Sequence, residues 1–123
     1  SAWKNILLDV DKAAIFGLYD EEKVIGLAAI FRDWTGREGV AVLCMSYIRE
    51  EYRGQGLSRK LYQARIDWAK EQGDIRILTV GHREGNEASC AANQRFGFQF
   101  SHVKDQLYGN GETAKDYIYE LKI

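Results

Sequence analysis

Three β-rich apolar runs, Ala13 to Tyr19, Val24 to Arg32 and Val40 to Ile48, set the pattern of the first half of the chain. Asp20-Glu21-Glu22-Lys23 divides the first two and Thr35-Gly36-Arg37-Glu38-Gly39 turns the second into the third, so the runs predict a three-stranded antiparallel meander. The period then changes. Leu57, Leu61, Ala64 and Trp68 recur at helical spacing, with Tyr62, Ile66 and Ala69 widening the stripe and Arg59, Gln63, Asp67 and Lys70 on the opposite side. This is an amphipathic helix ending at Gln72-Gly73. Ile75 to Val80 is a short apolar run after a helix, the pattern of a buried strand parallel to its predecessor. Ala88, Ala91, Ala92 and Phe96 mark a shorter helix with a small-residue face. Phe98 to Tyr108 and Lys115 to Ile123 form a hairpin around Gly109-Asn110-Gly111, with Tyr117, Tyr119, Leu121 and Ile123 on one face. Ahead of the first run, Trp3, Ile6, Leu7 and Val10 predict a short helix packed on the sheet. The predicted order of strands and helices after it is β-β-β-α-β-α-β-β.

Length and composition narrow the function classes. With 123 residues, 46% hydrophobic and 28% charged, the chain suits a single domain, 1–123, with a real core. A formal charge of −1 with interspersed signs argues against nucleic acid or an anionic membrane surface as the main partner. No apolar run has transmembrane length. Cys44 and Cys90 form neither a C-x-x-C pair nor a Cys/His cluster, so the expectation is reduced thiols, no metal and a cytoplasmic setting. A homodimer is left open.

The segment Tyr47-Ile48-Arg49-Glu50-Glu51-Tyr52-Arg53-Gly54-Gln55-Gly56-Leu57-Ser58-Arg59-Lys60 carries an apolar strand through a two-glycine loop into a helix with basic residues. Amides at a helix start are donors with no partner in the helix, and glycines 54 and 56 let an anion approach them. The loop therefore reads as a site for a diphosphate. Spacing separates the phosphate-binding alternatives. No window supplies G-x-x-x-x-G-K-[ST], and the dinucleotide fingerprint would need glycine at Arg59 and an acid after the next strand, whereas Asp74 precedes it.

Arg53-Gly54-Gln55-Gly56-Leu57-Ser58 resembles the R-x-x-G-x-[GA] acyl-CoA loop of the GNAT superfamily of N-acetyltransferases, with serine at the last position. A second segment, Asn86 to Phe98, is similar to that family's N-x-x-A…LY-x-K-x-G-F stretch, with Ala92-Asn93 where the family has the LY pair. The resemblance implies a GNAT-like mixed α/β (α+β) sheet lacking the family's first strand and first helix. It also implies acetyl-CoA as cosubstrate, without metal, and acetyl transfer to a primary amine of a small molecule or peptide. An acyl-CoA-binding regulatory module with little turnover is the alternative.

Residue roles follow from the same resemblance. Ser46, Tyr47 and Ile48 would line the pantetheine wedge through their backbones. Arg53, Gly54, Gln55, Gly56, Leu57 and Ser58 would hold the diphosphate. Asn86 either caps the second helix or also reaches the pantetheine. Asn93 stands where many family members carry a tyrosine near the acyl sulfur, and an amide donates a hydrogen bond without giving up a proton. The acid is therefore unassigned, with water or a phenol such as Tyr108 as alternatives. For the base, the candidate is a water chain past Ser46 with His82 at its end, the alternative for His82 being a solvated loop residue before a helix.

Overall fold

The computed structural model describes residues 2–9, 13–33, 36–107 and 111–123, without the side chains of 2–9, Met45, Glu87, Ala88 and Gln106. Seven strands and two helices follow one another as β1 (Ala2–Asp9), β2 (Ala13–Asp20), β3 (Lys23–Arg32), β4 (Val40–Ile48), α1 (Ser58–Gln72), β5 (Ile77–Arg83), α2 (Glu87–Arg95), β6 (Gln99–Leu107) and β7 (Thr113–Lys122). They build one mixed sheet in the order β1-β2-β3-β4-β5-β7-β6, the α+β architecture expected from the sequence. Among the described residues only β4 and β5 run parallel, joined through α1.

The N-terminal segment corrects the sequence reading. It is a strand, not a helix, and it occupies the sheet edge expected to be missing, antiparallel to β2 with Ala2 opposite Tyr19 and Ile6 opposite Ile15. The outer edge of β2 carries backbone donors and acceptors that need partners, a demand that the local period of Trp3, Ile6 and Leu7 does not reveal. A register shift between Ile6 and Asp9 also breaks the two-residue alternation, which is why the spacing imitates a helix. Val10, Thr35 and the Tyr108-Gly109-Asn110 tip of the last hairpin lie outside the described residues.

Helix α1 forms for the reason its pattern gives. Leu61, Ala64, Ile66, Trp68 and Ala69 are buried along one stripe, and Gly73 ends the helix in a left-handed conformation (φ 80°) with its N–H bonded to Lys70 O. The stripe packs on Phe16, Leu18, Ile30, Leu43 and Leu78 of the sheet to make one core. Burial of this apolar surface, at roughly 25 cal/mol per Å², is the main force holding helix to sheet. Tyr62 of α1 stacks on Phe96 at 4.7 Å and meets Phe98 edge-on at 6.4 Å, which ties α1 to the end of α2.

Strand β5 runs past the predicted end at Val80 to Arg83. Gly81, His82 and Arg83 pair with Ile118, Tyr117 and Asp116 of β7. His82 is therefore a buried strand residue rather than a solvated loop residue.

Candidate functional site

Two adjoining strands part company at the middle of the sheet. β4 and β5 pair from Val40–Ile77 to Leu43–Val80 and no further, although β4 continues beside β3 and β5 beside β7. The register of β3 with β4 shifts at the same level, where two steps from Leu27 to Ala29 face three steps from Cys44 to Tyr47. An extra residue bends the β4 backbone at this point. A wedge opens between Cys44–Ile48 and the end of β5.

Arg65 of α1 sits beneath the wedge, 1% exposed. Its Nε donates to Leu61 O at 3.0 Å, and its Nη atoms reach Ala29 O, Cys44 O and Ser46 Oγ, each at 3.5 Å. A buried guanidinium with several acceptors tolerates removal from water better than a lone charge, though burial still lowers its pKa to about 10. Arg65 thus braces the bend by serving the Cys44 carbonyl. In sequence it is a charged residue at stripe spacing, four after Leu61 and three before Trp68, and that conflict was the available signal for it.

Past β4, a short 3₁₀ turn at Glu50–Tyr52 leads into the two-glycine loop. Two side chains fix this loop. Tyr52 Oη donates to Asp20 Oδ2 at 2.7 Å, and Arg53 Nε donates to Ile48 O at 2.8 Å with its guanidinium 5.5 Å from the Tyr47 ring. Gly54 and Gly56 have φ of 81° and 73°, the left-handed region that β-carbons disfavour. A β-carbon at Gly54 would meet nothing within 4 Å, and one at Gly56 only Arg59 Nη2 at 3.8 Å, so the space in front of the loop is open. The helix start behind it has no side-chain cap.

This loop, the wedge and the start of α2 line a cavity of about 440 Å³. Of the sequence-predicted residues, Ser46, Tyr47, Ile48, Arg53, Gly54, Gly56, Leu57, Ser58 and Asn86 line it, whereas Gln55 is exposed in the loop and does not. Asn86 caps α2, its Oδ1 accepting from Ser89 N–H at 3.1 Å, while also facing the cavity. A second cavity of about 150 Å³ continues into the wedge between Leu43–Cys44 and Val80–Gly81. Ser46, Tyr62 and Ser89 border both, which makes them one cleft.

Asn93 is fully buried and borders the inner cavity. Its Oδ1 accepts from Tyr62 Oη at 2.5 Å, and its Nδ2 has no hydrogen-bond partner among the described residues. His82 lines neither cavity. Its ring lies 5.5 Å from Tyr117 and 5.4 Å from Tyr119, its Nδ1 is 3.0 Å from Arg83 O, and its buried Nε2 has no partner among the described residues. Tyr62 was missed as a site residue because the sequence places it on the buried side of α1 without saying which neighbour it meets. Its phenol is pushed above the ordinary range by burial, with the Arg65 cation opposing. Among the described residues no group of three or more His, Cys, Asp and Glu is placed to hold a metal ion, and no helix is long and apolar enough to cross a membrane.

A cleft that runs from an open helix start into a parted pair of parallel strands suits an extended ligand with an anionic middle. Known proteins give the same direction. The model of the acetyltransferase (GNAT) family matches residues 1–98. An L-methionine sulfoximine/L-methionine sulfone acetyltransferase of Pseudomonas paraeruginosa is 36% identical over 87 residues, 69% of this chain and 49% of that protein. A spermine/spermidine N(1)-acetyltransferase of Bacillus subtilis is 32% identical over 102 residues, covering 80% of this chain and 65% of its own. This chain thus spans between about half and two thirds of the length of these relatives. The fold superposes on a GNAT-family acetyltransferase from Streptococcus pneumoniae with a TM-score of 0.79 and 22% identity, over 92% of this chain and 68% of the other.

Proposed function

Because the chain belongs to the GNAT acetyltransferase family, we propose that it transfers an acetyl group from acetyl-CoA directly to a primary amine. The observation that carries this reading is the continuity of the cleft, from the uncapped start of α1 to the wedge between β4 and β5. The residues present fit the donor. The open faces of Gly54 and Gly56 admit a diphosphate to the loop amides, and Arg53 adds positive charge at the same mouth. The wedge suits the pantetheine arm, whose amides can replace the strand partner that β4 lacks beyond Leu43. Acetyl-CoA supplies an activated acyl thioester; the chain's own groups orient it and manage protons.

Amine attack on the thioester carbonyl places negative charge on its oxygen, and donors fixed in a partly dry cleft stabilise that charge most effectively. We assign that role to the backbone amides of the bent stretch around Ser46 and Tyr47, next to the Cys44 carbonyl that Arg65 braces. Ser46 Oγ, on the border of both cavities, orders a water that takes the amine's proton. His82 lines neither cavity and has no part in this scheme.

The named relatives act on L-methionine sulfoximine or sulfone and on spermine or spermidine, and they support amines of amino-acid-like molecules and polyamines as acceptors, with peptide amines kept in the panel. Calorimetric titration with CoA, followed by thiol release from acetyl-CoA over a panel of those amines, tests the proposal. Binding with release for at least one amine is expected. Binding without release for any amine would favour the second reading, an acyl-CoA-binding regulatory module, for which the amide of Asn93 speaks because it yields no proton near neutral pH.

A further inference from the structure

The inner end of the cleft holds a buried polar pair, of which the sequence put only Asn93 near the acyl sulfur. Tyr62 enters it from α1 and Asn93 from α2, joined by the bond from Tyr62 Oη to Asn93 Oδ1. Among the described residues Nδ2 of Asn93 has no hydrogen-bond partner, and a buried donor left unpaired is costly, so this end of the cleft suits an acceptor brought by a ligand. Asn93 borders only the inner cavity, while Tyr62 borders both. The phenol is therefore at the point where an arm lying in the outer cavity passes into the wedge.

Resting on the acetyl-transfer reading, we infer that Tyr62 is the acid that protonates the departing thiolate, and that Asn93 holds the phenol oxygen and the sulfur in line. Turning the hydroxyl about its C–O bond costs one hydrogen bond, to Asn93, and directs the same proton into the cleft. In the transfer step the N–C bond forms and the C–S bond breaks with its electron pair going to sulfur. The phenol proton passes to that sulfur, and the proton lost by the amine nitrogen returns to the phenolate through solvent. Every turnover leaves Tyr62 as it began.

The surroundings suit this duty. The Arg65 guanidinium lies 4.8 Å from the centre of the Tyr62 ring and stabilises the transient phenolate. The other titratable group bordering the inner cavity is the Cys44 thiol from β4, itself pushed up by burial, while Asn93, Phe96 and Phe98 on the α2 side are uncharged. Burial keeps the phenol protonated at neutral pH, as an acid must be.

Tyr62→Phe removes the hydroxyl and keeps the stack on Phe96, so the variant should fold. We expect kcat with the best amine to fall about 10- to 100-fold while CoA affinity stays within about twofold, since acid catalysis of this kind contributes at least that much. A second readout needs no turnover. The thiol of bound CoA, titrated by its thiolate absorbance, should have its pKa raised by about one unit in Tyr62→Phe, because a donor to the thiolate is gone. An unchanged thiol titration overturns the contact, and an unchanged kcat in an active enzyme overturns the acid. Should phenylalanine at 62 cost the fold, a fluorinated tyrosine at the same position keeps every contact and makes the phenol more acidic. The high-pH fall in rate must then move to lower pH, and a profile that stays put overturns the inference. A wild-type protein that binds CoA but acetylates nothing defeats the enzyme reading alone and leaves the thiol titration to judge Tyr62. One that does not bind CoA defeats both.

Discussion

Helix α1 starts with no side chain closing its first turn, behind a loop with two left-handed glycines, whereas α2 starts under Asn86, whose amide oxygen accepts from Ser89 N–H. A side-chain cap is worth about 1 kcal/mol, so α1 forgoes stability that α2 takes. Both starts border the same cavity. On the proposed reading the difference separates a helix end capped by the protein's own side chain from one open to a ligand, and fold alone does not supply that distinction.

The strongest way to break the contrast is to fill the open end. Gly56→Val places a β-branched side chain where φ is 73° and in front of the amides, and should weaken CoA about 100-fold or more while circular dichroism stays unchanged. Undiminished affinity by calorimetry would remove the loop from the site. A smaller effect is expected at the loop's charge. Arg53→Ala should weaken CoA about tenfold at low salt and far less near 1 M, where the Debye length is only about 3 Å. Equal losses at both salt concentrations would mean that Arg53 acts by anchoring the loop to Ile48 O instead. The capped end should respond in the other currency: Asn86→Ala is expected to cost about 1 kcal/mol of stability in thermal unfolding and no more than about threefold in CoA affinity. If affinity falls tenfold with the melting temperature unmoved, Asn86 is a ligand contact first and the contrast narrows. Least of all, Ser58→Ala should cost about two- to fivefold in affinity, the worth of one exposed hydrogen bond.

How much of this could be read from the chain depended on how local the determinant was. The glycine loop, the α1 stripe and its Gly73 terminus are set by neighbouring residues, and they stand where the pattern put them. β1 was not legible, because pairing with β2 is decided by the empty hydrogen-bonding edge of a strand several residues away. Nor was the extension of β5 to Arg83, which rests on β7 residues more than thirty positions later. In the site, sequence could put Tyr62 on the buried side of α1 but not say that it meets Asn93, and the pattern assigned no place to Arg65, which meets the carbonyls of Ala29 and Cys44. Periodicity names a face of a helix. It does not name what that face touches.

The parallel contact of β4 with β5 is four register pairs long, against seven between β5 and β7. Mechanically, the sheet is two plates, β1 to β4 and β5 to β7, riveted along one end of a short seam and spread at the other. Fewer ladder bonds cross this seam than join β5 to β7, and on the acetyl-transfer reading the acyl group enters at its spread end. A ligand that hydrogen-bonds to both plates replaces the missing part of the seam, so occupancy should slow amide hydrogen exchange at Gly81 to Arg83 as well as in the loop it touches. On the acetyl-transfer reading, the acyl-chain length accepted should then follow the stiffness of this hinge as much as pocket volume.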